Sequence, residues 1–234
     1  MNIGLEKYRY YTELMRENDL FSDISHDALD QLLEIASAQY WPKKTCILDP
    51  THTLYTFYII LSGKVKGYVF DDKHDRPLTL FLLTQNDVFD VFTLINGKVH
   101  DIRYETLCDT EVLRIPMYKL KEWIQDNQDV YKALLKYTTD KMMRMENYIS
   151  NLIMEDTSIR LARLLYNHVD PASNQVEILN GLTHDELGAL IGTTRTMVGR
   201  HIQSFKEEGI LKTERREIEI TNLELLQQKI SLNP

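Results

Sequence analysis

Residues 182–202 read Leu182-Thr183-His184-Asp185-Glu186-Leu187-Gly188-Ala189-Leu190-Ile191-Gly192-Thr193-Thr194-Arg195-Thr196-Met197-Val198-Gly199-Arg200-His201-Ile202. Thr183 followed three residues later by Glu186 is a capping box, in which side chains and backbone at a helix start satisfy one another, so a helix begins here. Its apolar positions Leu187, Leu190 and Ile191 share one face. Gly192 supplies the left-handed backbone for a tight turn. Thr193 or Thr194 then caps a second helix, whose inner face is Met197, Val198, Ile202 and Phe205. Two short helices joined by a glycine turn over a shared apolar core make a helix-turn-helix. The competing reading is an ordinary helical hairpin with surface arginines.

The outward face of the second helix carries Arg195, Thr196, Gly199, Arg200 and Gln203. Arg195 and Thr196 stand near its N-terminus, from which a recognition helix presents side chains to base edges. An arginine there is suited to bidentate binding of guanine O6 and N7. Gly199 costs up to about 1 kcal/mol relative to alanine in a helix, so its presence points to close approach of another backbone. Residues 209–213 and 217–220 read as two strands around Glu214-Arg215-Arg216, a wing. Arg215 and Arg216 at its tip are phosphate candidates, with a solvated turn as the alternative; Lys206 and Lys212 are weaker candidates. The nucleic-acid site expected from the sequence is therefore Thr183, Thr194, Arg195, Thr196, Gly199, Arg200, Gln203, Arg215 and Arg216.

Working toward the N-terminus, residues 154–158 interrupt one helical pattern, and Asp156, Thr157 or Ser158 can cap the next, over residues 159–167. Before that break, Leu135, Thr138, Met142, Met145, Ile149 and Leu152 follow one another at spacings of 3, 4, 3, 4 and 3 residues, flanked by charges. That is a narrow seam with a repeat of about 3.5, the pattern of a helix that pairs with a second copy. The alternative is a helix packed on its own sheet, which usually shows a wider apolar face. From residue 40 to 116 the period changes to short β-branched and aromatic runs divided by turns, such as 54–61, Ser62-Gly63 and 64–70, the signature of an antiparallel sandwich or barrel. Residues 5–38 read as short helices, with Ser25 an N-cap before an apolar face of Ala28, Leu29, Leu32, Leu33, Ile35 and Ala36.

The bulk numbers, 234 residues, 43% hydrophobic and 26% charged, fit a folded chain of one large domain or two modest ones. No apolar run approaches the roughly 20 residues of a membrane span, and residues 1–10 lack an apolar signal core. Cys46 and Cys108 form no CxxC pair, which disfavours a disulfide framework, a thiolate zinc site and a four-cysteine cluster, and fits a reducing cytoplasm. The net charge of −8 runs against nucleic-acid binding only if cations are spread evenly.

The order β-roll, long helix, hinge and winged helix-turn-helix resembles the CRP/FNR family over nearly the whole chain. The elements Glu-Leu-Gly, Ile-Gly and Arg-Thr-Met-Val-Gly-Arg within residues 183–200 are similar to the family's DNA-binding signature. Leu61-Ser62-Gly63-Lys64-Val65 and Asp87-Val88-Phe89 resemble its first hairpin turn and the start of its phosphate-binding cassette. The resemblance implies an α+β fold: an N-terminal antiparallel β-roll of the cyclic-nucleotide-binding jelly-roll type (residues 1–128), a dimerisation helix (129–155) and a C-terminal winged helix-turn-helix (156–234). It implies a homodimer on a palindromic double-stranded operator, and a surface for RNA polymerase at residues 170–180.

The departures from the family are equally informative. Its cyclic-AMP receptors carry Gly-Glu and then Arg-Ser in the cassette, where this chain has Asp90-Val91 and Asp101-Ile102. An anionic phosphate facing two acids is unfavourable, so no cyclic-AMP response is expected. The oxygen-sensing branch's cysteine cluster is missing. A haem-sensing branch leaves His74 or His100 as axial candidates, and Cys46 or Cys108 as redox candidates; the effector is otherwise unassigned. Thr196 stands where the family often has a glutamate that reads cytosine. Two alternatives remain: a cupin-type β-barrel metalloenzyme with an accessory helical domain, although His26, His52, His74 and His100 show no HxH spacing, and a regulator whose sensor domain is vestigial and ligand-free.

Overall fold

In a computed structural model, which describes residues 5–71, 76–170, 173–214 and 217–231, the chain opens with α1 (Leu5–Glu17) and α2 (His26–Ile35). Ser25 caps α2 by accepting from the Ala28 amide, and Ala28, Leu29, Leu32 and Leu33 form its buried stripe. β1 (Ser37–Trp41) and β2 (Cys46–Leu48) follow, then one helical turn, α3 (His52–Tyr55). Next come β3 (Thr56–Ser62), β4 (Val65–Asp71), β5 (Arg76–Leu83), α4 (Val91–Asn96), β6 (Arg103–Thr106) and β7 (Thr110–Pro116). The strands pair antiparallel in two sheets, ordered β1-β7-β3 and β2-β6-β4-β5.

β3 lies at the edge of the three-stranded sheet beside β7 and is buried on both faces. Phe57, Ile59 and Leu61 pack with α1, α2 and the later helices. The alternate residues Tyr58 and Ile60 face the second sheet, among Val65, Leu83 and Tyr104. A strand covered on both sides reads in the sequence as an unbroken apolar run, which is what residues 57–61 show, whereas residues 54 and 55 of the expected strand lie in α3. Gly63 turns β3 into β4 at φ +103°, and a Cβ there would lie 2.5 Å from Thr110 Oγ1 and 2.7 Å from the Asp109 carbonyl oxygen, so only glycine fits.

α5 (Met117–Asp126) leads into α6 (Asp129–Met154). With 26 residues, α6 is about 39 Å long. Its first turns bury Val130, Ala133, Leu134 and Tyr137, a stripe distinct from the seam. On the seam, Leu135, Met142, Met145 and Ile149 are exposed, at 69%, 61%, 55% and 51%, while Thr138 and Leu152 are half-buried. The chain divides inside α6 into two compact units, Met1–Met143 and Arg144–Pro234.

The second unit contains α7 (Thr157–His168), α8 (His184–Ile191), α9 (Arg195–Glu207), β8 (Leu211–Glu214), β9 (Glu217–Ile220) and α10 (Leu223–Ser231). Of the three candidate caps for α7, Asp156 takes the position, accepting from the Ser158 and Ile159 amides. Leu161, Leu165, Val198, Phe205, Ile220 and Leu226 are buried in this unit's core. β8 and β9 pair as the wing that the sequence predicts. Residues 173–180 are partly structural: Val176 and Leu179 are buried, Gln175 bridges to Glu219, and Asn180 Oδ1 accepts from the Ile218 amide. No helix among the described residues is long and apolar enough to cross a membrane.

Candidate nucleic-acid interface and the roll interior

The capping box forms at α8. Thr183 Oγ1 accepts from the Glu186 amide, and Glu186 Oε2 accepts from both the Thr183 amide and its hydroxyl. Thr183 is thus committed to starting the helix, so any role at the interface begins with placing α8. Gly192 ends α8 at φ +65°. Thr194, rather than Thr193, caps α9 by accepting from the Met197 amide. Leu187, Leu190, Ile191, Val198, Ile202 and Phe205 are buried as expected, and Met197 is half-buried.

The turn is closed by Gly188. A Cβ on it would lie 2.8 Å from the Thr193 carbonyl oxygen and 3.3 Å from the Thr194 carbonyl carbon, so the absence of a side chain sets how closely α8 meets the start of α9. The sequence reading assigned the turn to Gly192 alone. Gly199 is different. A Cβ there would meet only His184, at 3.5 Å, an ordinary contact. The chain's own packing leaves room for a side chain at Gly199, so the close backbone approach expected from the sequence is not made within the described residues.

Arg195, Thr196, Arg200 and Gln203 all lie exposed on α9, but they are not equivalent. Arg195 Nη1 sits 3.7 Å from Asp185 Oδ2. Gln203 Nε2 donates to Glu207 Oε1 at 2.8 Å. Arg200 and the exposed Lys206 have no polar partner among the described residues. Lys212 is paired with Glu219 at 2.9 Å, and that bond raises its pKa. Arg215 and Arg216 lie outside the described residues. A groove of about 470 Å³ runs along this face, lined among others by His184, Asp185, Arg195, Gln203, Lys206 and Thr213. Residues 156–234 hold nine Lys and Arg against eleven Asp and Glu, a net of −2, so positive potential here is local. Asp185 escaped the sequence reading because an acid in the first turn of a helix already has a reason to be there, the helix dipole, and its neighbour Arg195 is ten residues away.

In the roll, the stretch that resembles the family's phosphate-binding cassette holds a buried carboxylate. Asp90 adopts a left-handed backbone, φ +48°, and caps α4 by accepting from the Thr93 amide. Its side chain is 1% exposed. Thr53 Oγ1 donates to it at 2.6 Å, the Thr93 hydroxyl donates as well, and His100 Nδ1 lies at 3.2 Å. Asp101 is exposed. Nearby, Trp41, Tyr58, Phe89, Tyr104 and Phe81 form a continuous chain of rings at centroid distances of 4.8–6.4 Å. Burial pushes the Tyr104 phenol up, and the Asp90 charge adds to it. His100 is thus bonded to Asp90, and His74 lies outside the described residues. Cys108 is free and half-buried. Among the described residues no three His, Cys, Asp or Glu side chains gather as a metal site, so nothing there favours the metalloenzyme alternative.

An antiparallel roll, a long helix and a winged helix-turn-helix define the class of protein. Residues 159–229 match the model of the Crp-like helix-turn-helix domain. The CRP-like cAMP-activated global transcriptional regulator of Mycobacterium tuberculosis is 22% identical over 222 residues, covering 93% of this chain and 98% of its own. The global nitrogen regulator of Synechocystis sp. is 25% identical over 190 residues, 78% of this chain and 82% of its own. The structure of FixK2 from Bradyrhizobium japonicum superposes with a TM-score of 0.71 at 20% identity, covering 83% of this chain and 96% of that one. Residues 159–229 are thus a Crp-like helix-turn-helix domain, and the fold as a whole is shared with a transcriptional regulator of the crp/fnr family from Eubacterium rectale, at a TM-score of 0.69 and 19% identity over 91% of this chain and 97% of that one.

Proposed function

We propose that this protein is a sequence-specific DNA-binding transcription regulator that acts as a homodimer without cyclic AMP. The observation that carries the reading is the outward face of α9, where Arg195, Thr196, Arg200 and Gln203 stand exposed on a helix whose other side is locked into the core. Arg195 and Arg200 are the guanine readers, Thr196 and Gln203 secondary contacts, and Lys206 a phosphate contact. The dimer reading is supported by the exposed seam residues of α6, Leu135, Met142, Met145 and Ile149, which are distinct from the stripe that its first turns bury. Two recognition helices joined by that seam suit successive major grooves about 34 Å apart, hence a palindromic operator.

Independence from cyclic AMP is supported by Asp90. Its carboxylate already satisfies the α4 amide and two hydroxyls at the position where a cyclic phosphate has to sit, and a second anion there is repelled. The linked rings inside the roll favour the variant in which the sensor domain takes no small molecule at all. Selection from random duplex DNA with the purified, ligand-free protein tests the proposal. An enriched inverted repeat, bound equally well with and without added cyclic AMP, is the expected result. Enrichment of no sequence, a monomer in solution, or binding that appears only with cyclic AMP overturns it.

A further inference from the structure

We propose that Asp185 is a specificity-determining residue of this interface, whose carboxylate holds the Arg195 guanidinium in the orientation from which it reads guanine. The inference rests on the reading of α9 as a recognition helix. Asp185 is the second residue of α8 and Arg195 the first of α9. The bare backbone of Gly188 lets these helix starts come together: its hypothetical Cβ would lie 3.5 Å from the Arg195 amide nitrogen. The side chains meet at 3.7 Å, with Arg195 73% and Asp185 67% exposed.

In free solution such a pair contributes little, because water screens it and two mobile side chains must be ordered. Against a duplex the balance changes. Water is displaced, and an unpaired carboxylate facing phosphates is repelled, so the pair tightens as the groove closes. A guanidinium has five N–H donors in a rigid fork, and guanine O6 and N7 take two of them. A carboxylate on the remaining edge fixes the plane of the fork without competing for the base. Asp185 therefore has two opposed effects. Its charge lowers affinity for every DNA, and its grip on Arg195 raises discrimination at one base pair. Arg200, which has no such partner among the described residues, gains nothing from it.

The test is Asp185→Asn, which keeps the shape and removes the charge, read against Arg195→Ala and Asp185→Glu. The operator selected by the wild type is varied base by base, and the position at which Arg195→Ala stops discriminating is located. There the wild type should discriminate about 5- to 150-fold. Asp185→Asn should reduce that preference about three- to tenfold, leave the position read by Arg200 unchanged, and tighten binding to random DNA about two- to fivefold. Asp185→Glu should restore part of the discrimination. A uniform gain in affinity with discrimination intact makes Asp185 a repelling charge only and overturns the inference. Equal loss of discrimination at every position makes it a structural support for α8 and also overturns it. A wild type that selects no sequence overturns the recognition reading and this inference together; the other failures leave that reading standing.

Discussion

Replacing Gly188 with alanine sets two effects against each other. Alanine inside a helix is favoured over glycine by about 1 kcal/mol, and on that ground α8 should be strengthened. The new methyl, however, has to occupy space 2.8 Å from the Thr193 carbonyl oxygen and 3.3 Å from the Thr194 carbonyl carbon, where an ordinary contact begins at 3.4 Å. Both obstacles are backbone, so neither can rotate aside. The Thr193 amide moreover donates to the Gly188 carbonyl oxygen at 2.8 Å, tying the two segments together. An extra methyl forced into a packed site costs about 1–3 kcal/mol, and the immobility of main chain favours the upper part of that range. The net expectation is a loss of about 1–2 kcal/mol, with the start of α9 displaced by several tenths of an ångström. Hydrogen exchange on the full-length protein reads both consequences. The amides of α8 and α9 should exchange about 5- to 30-fold faster, those of the roll should not change, and operator affinity should fall. Slower exchange in α8 with unaltered operator binding would show that propensity outweighs the clash and that the spacing of the two helices is not set at Gly188.

Arg200→Ala should cost about 1–3 kcal/mol of operator affinity and relax selectivity at one base pair in a binding titration; the same loss on every sequence would make Arg200 a phosphate contact. Glu177→Ala, on the exposed part of the loop ahead of α8, should leave operator binding intact and reduce transcription in a reconstituted assay if that loop meets RNA polymerase; abolished operator binding would give it a structural role instead. Burial lowers the pKa of His168 and of His201, with the Asp156 charge acting in the opposite direction on the latter. A histidine whose folded pKa is depressed adds stability that is present above its unfolded pKa of about 6.5 and lost as pH falls through the folded value. Exchange of α7 and α9 amides, corrected for the intrinsic rate, should therefore show weaker protection at pH 5 than at pH 7.5. His168→Gln with His201→Gln should flatten that dependence, and protection that rises on acidification would reverse the sign.

Much of this architecture can be read along the chain because it rests on local chemistry. A capping box, a left-handed glycine and periods of two and of three-and-a-half each concern residues within a turn or two of one another, and those elements form where the sequence places them. What escapes is short or distant. α3 and α4 have four and six residues, too few to show a period. Gly188 looks like a weak point in a helix until Thr193 folds back onto it. Lys212 looks like a free cation until β9 brings Glu219 beside it. Arg195 and Arg200 look alike in the sequence, and only the approach of α8 gives one of them a carboxylate and leaves the other bare.

Asp90 shows the same limit in the sensor domain. An acid in the stretch that resembles the family's cassette is visible in the sequence, and it motivates the proposal of a cyclic-AMP-independent regulator. In the structure Asp90 takes φ +48°, a backbone that residues with a Cβ rarely adopt. An aspartate tolerates it better than most residues because its short side chain can bond locally, and here it does so by capping α4. Once there, the carboxylate cannot remain buried without partners, and Thr53, Thr93 and His100 supply them from three separate segments. The substitution is therefore not a simple deletion of a binding residue. On the proposed cyclic-AMP-independent reading, it puts a carboxylate held by the chain's own hydroxyls and amide where a cyclic nucleotide would bring its phosphate.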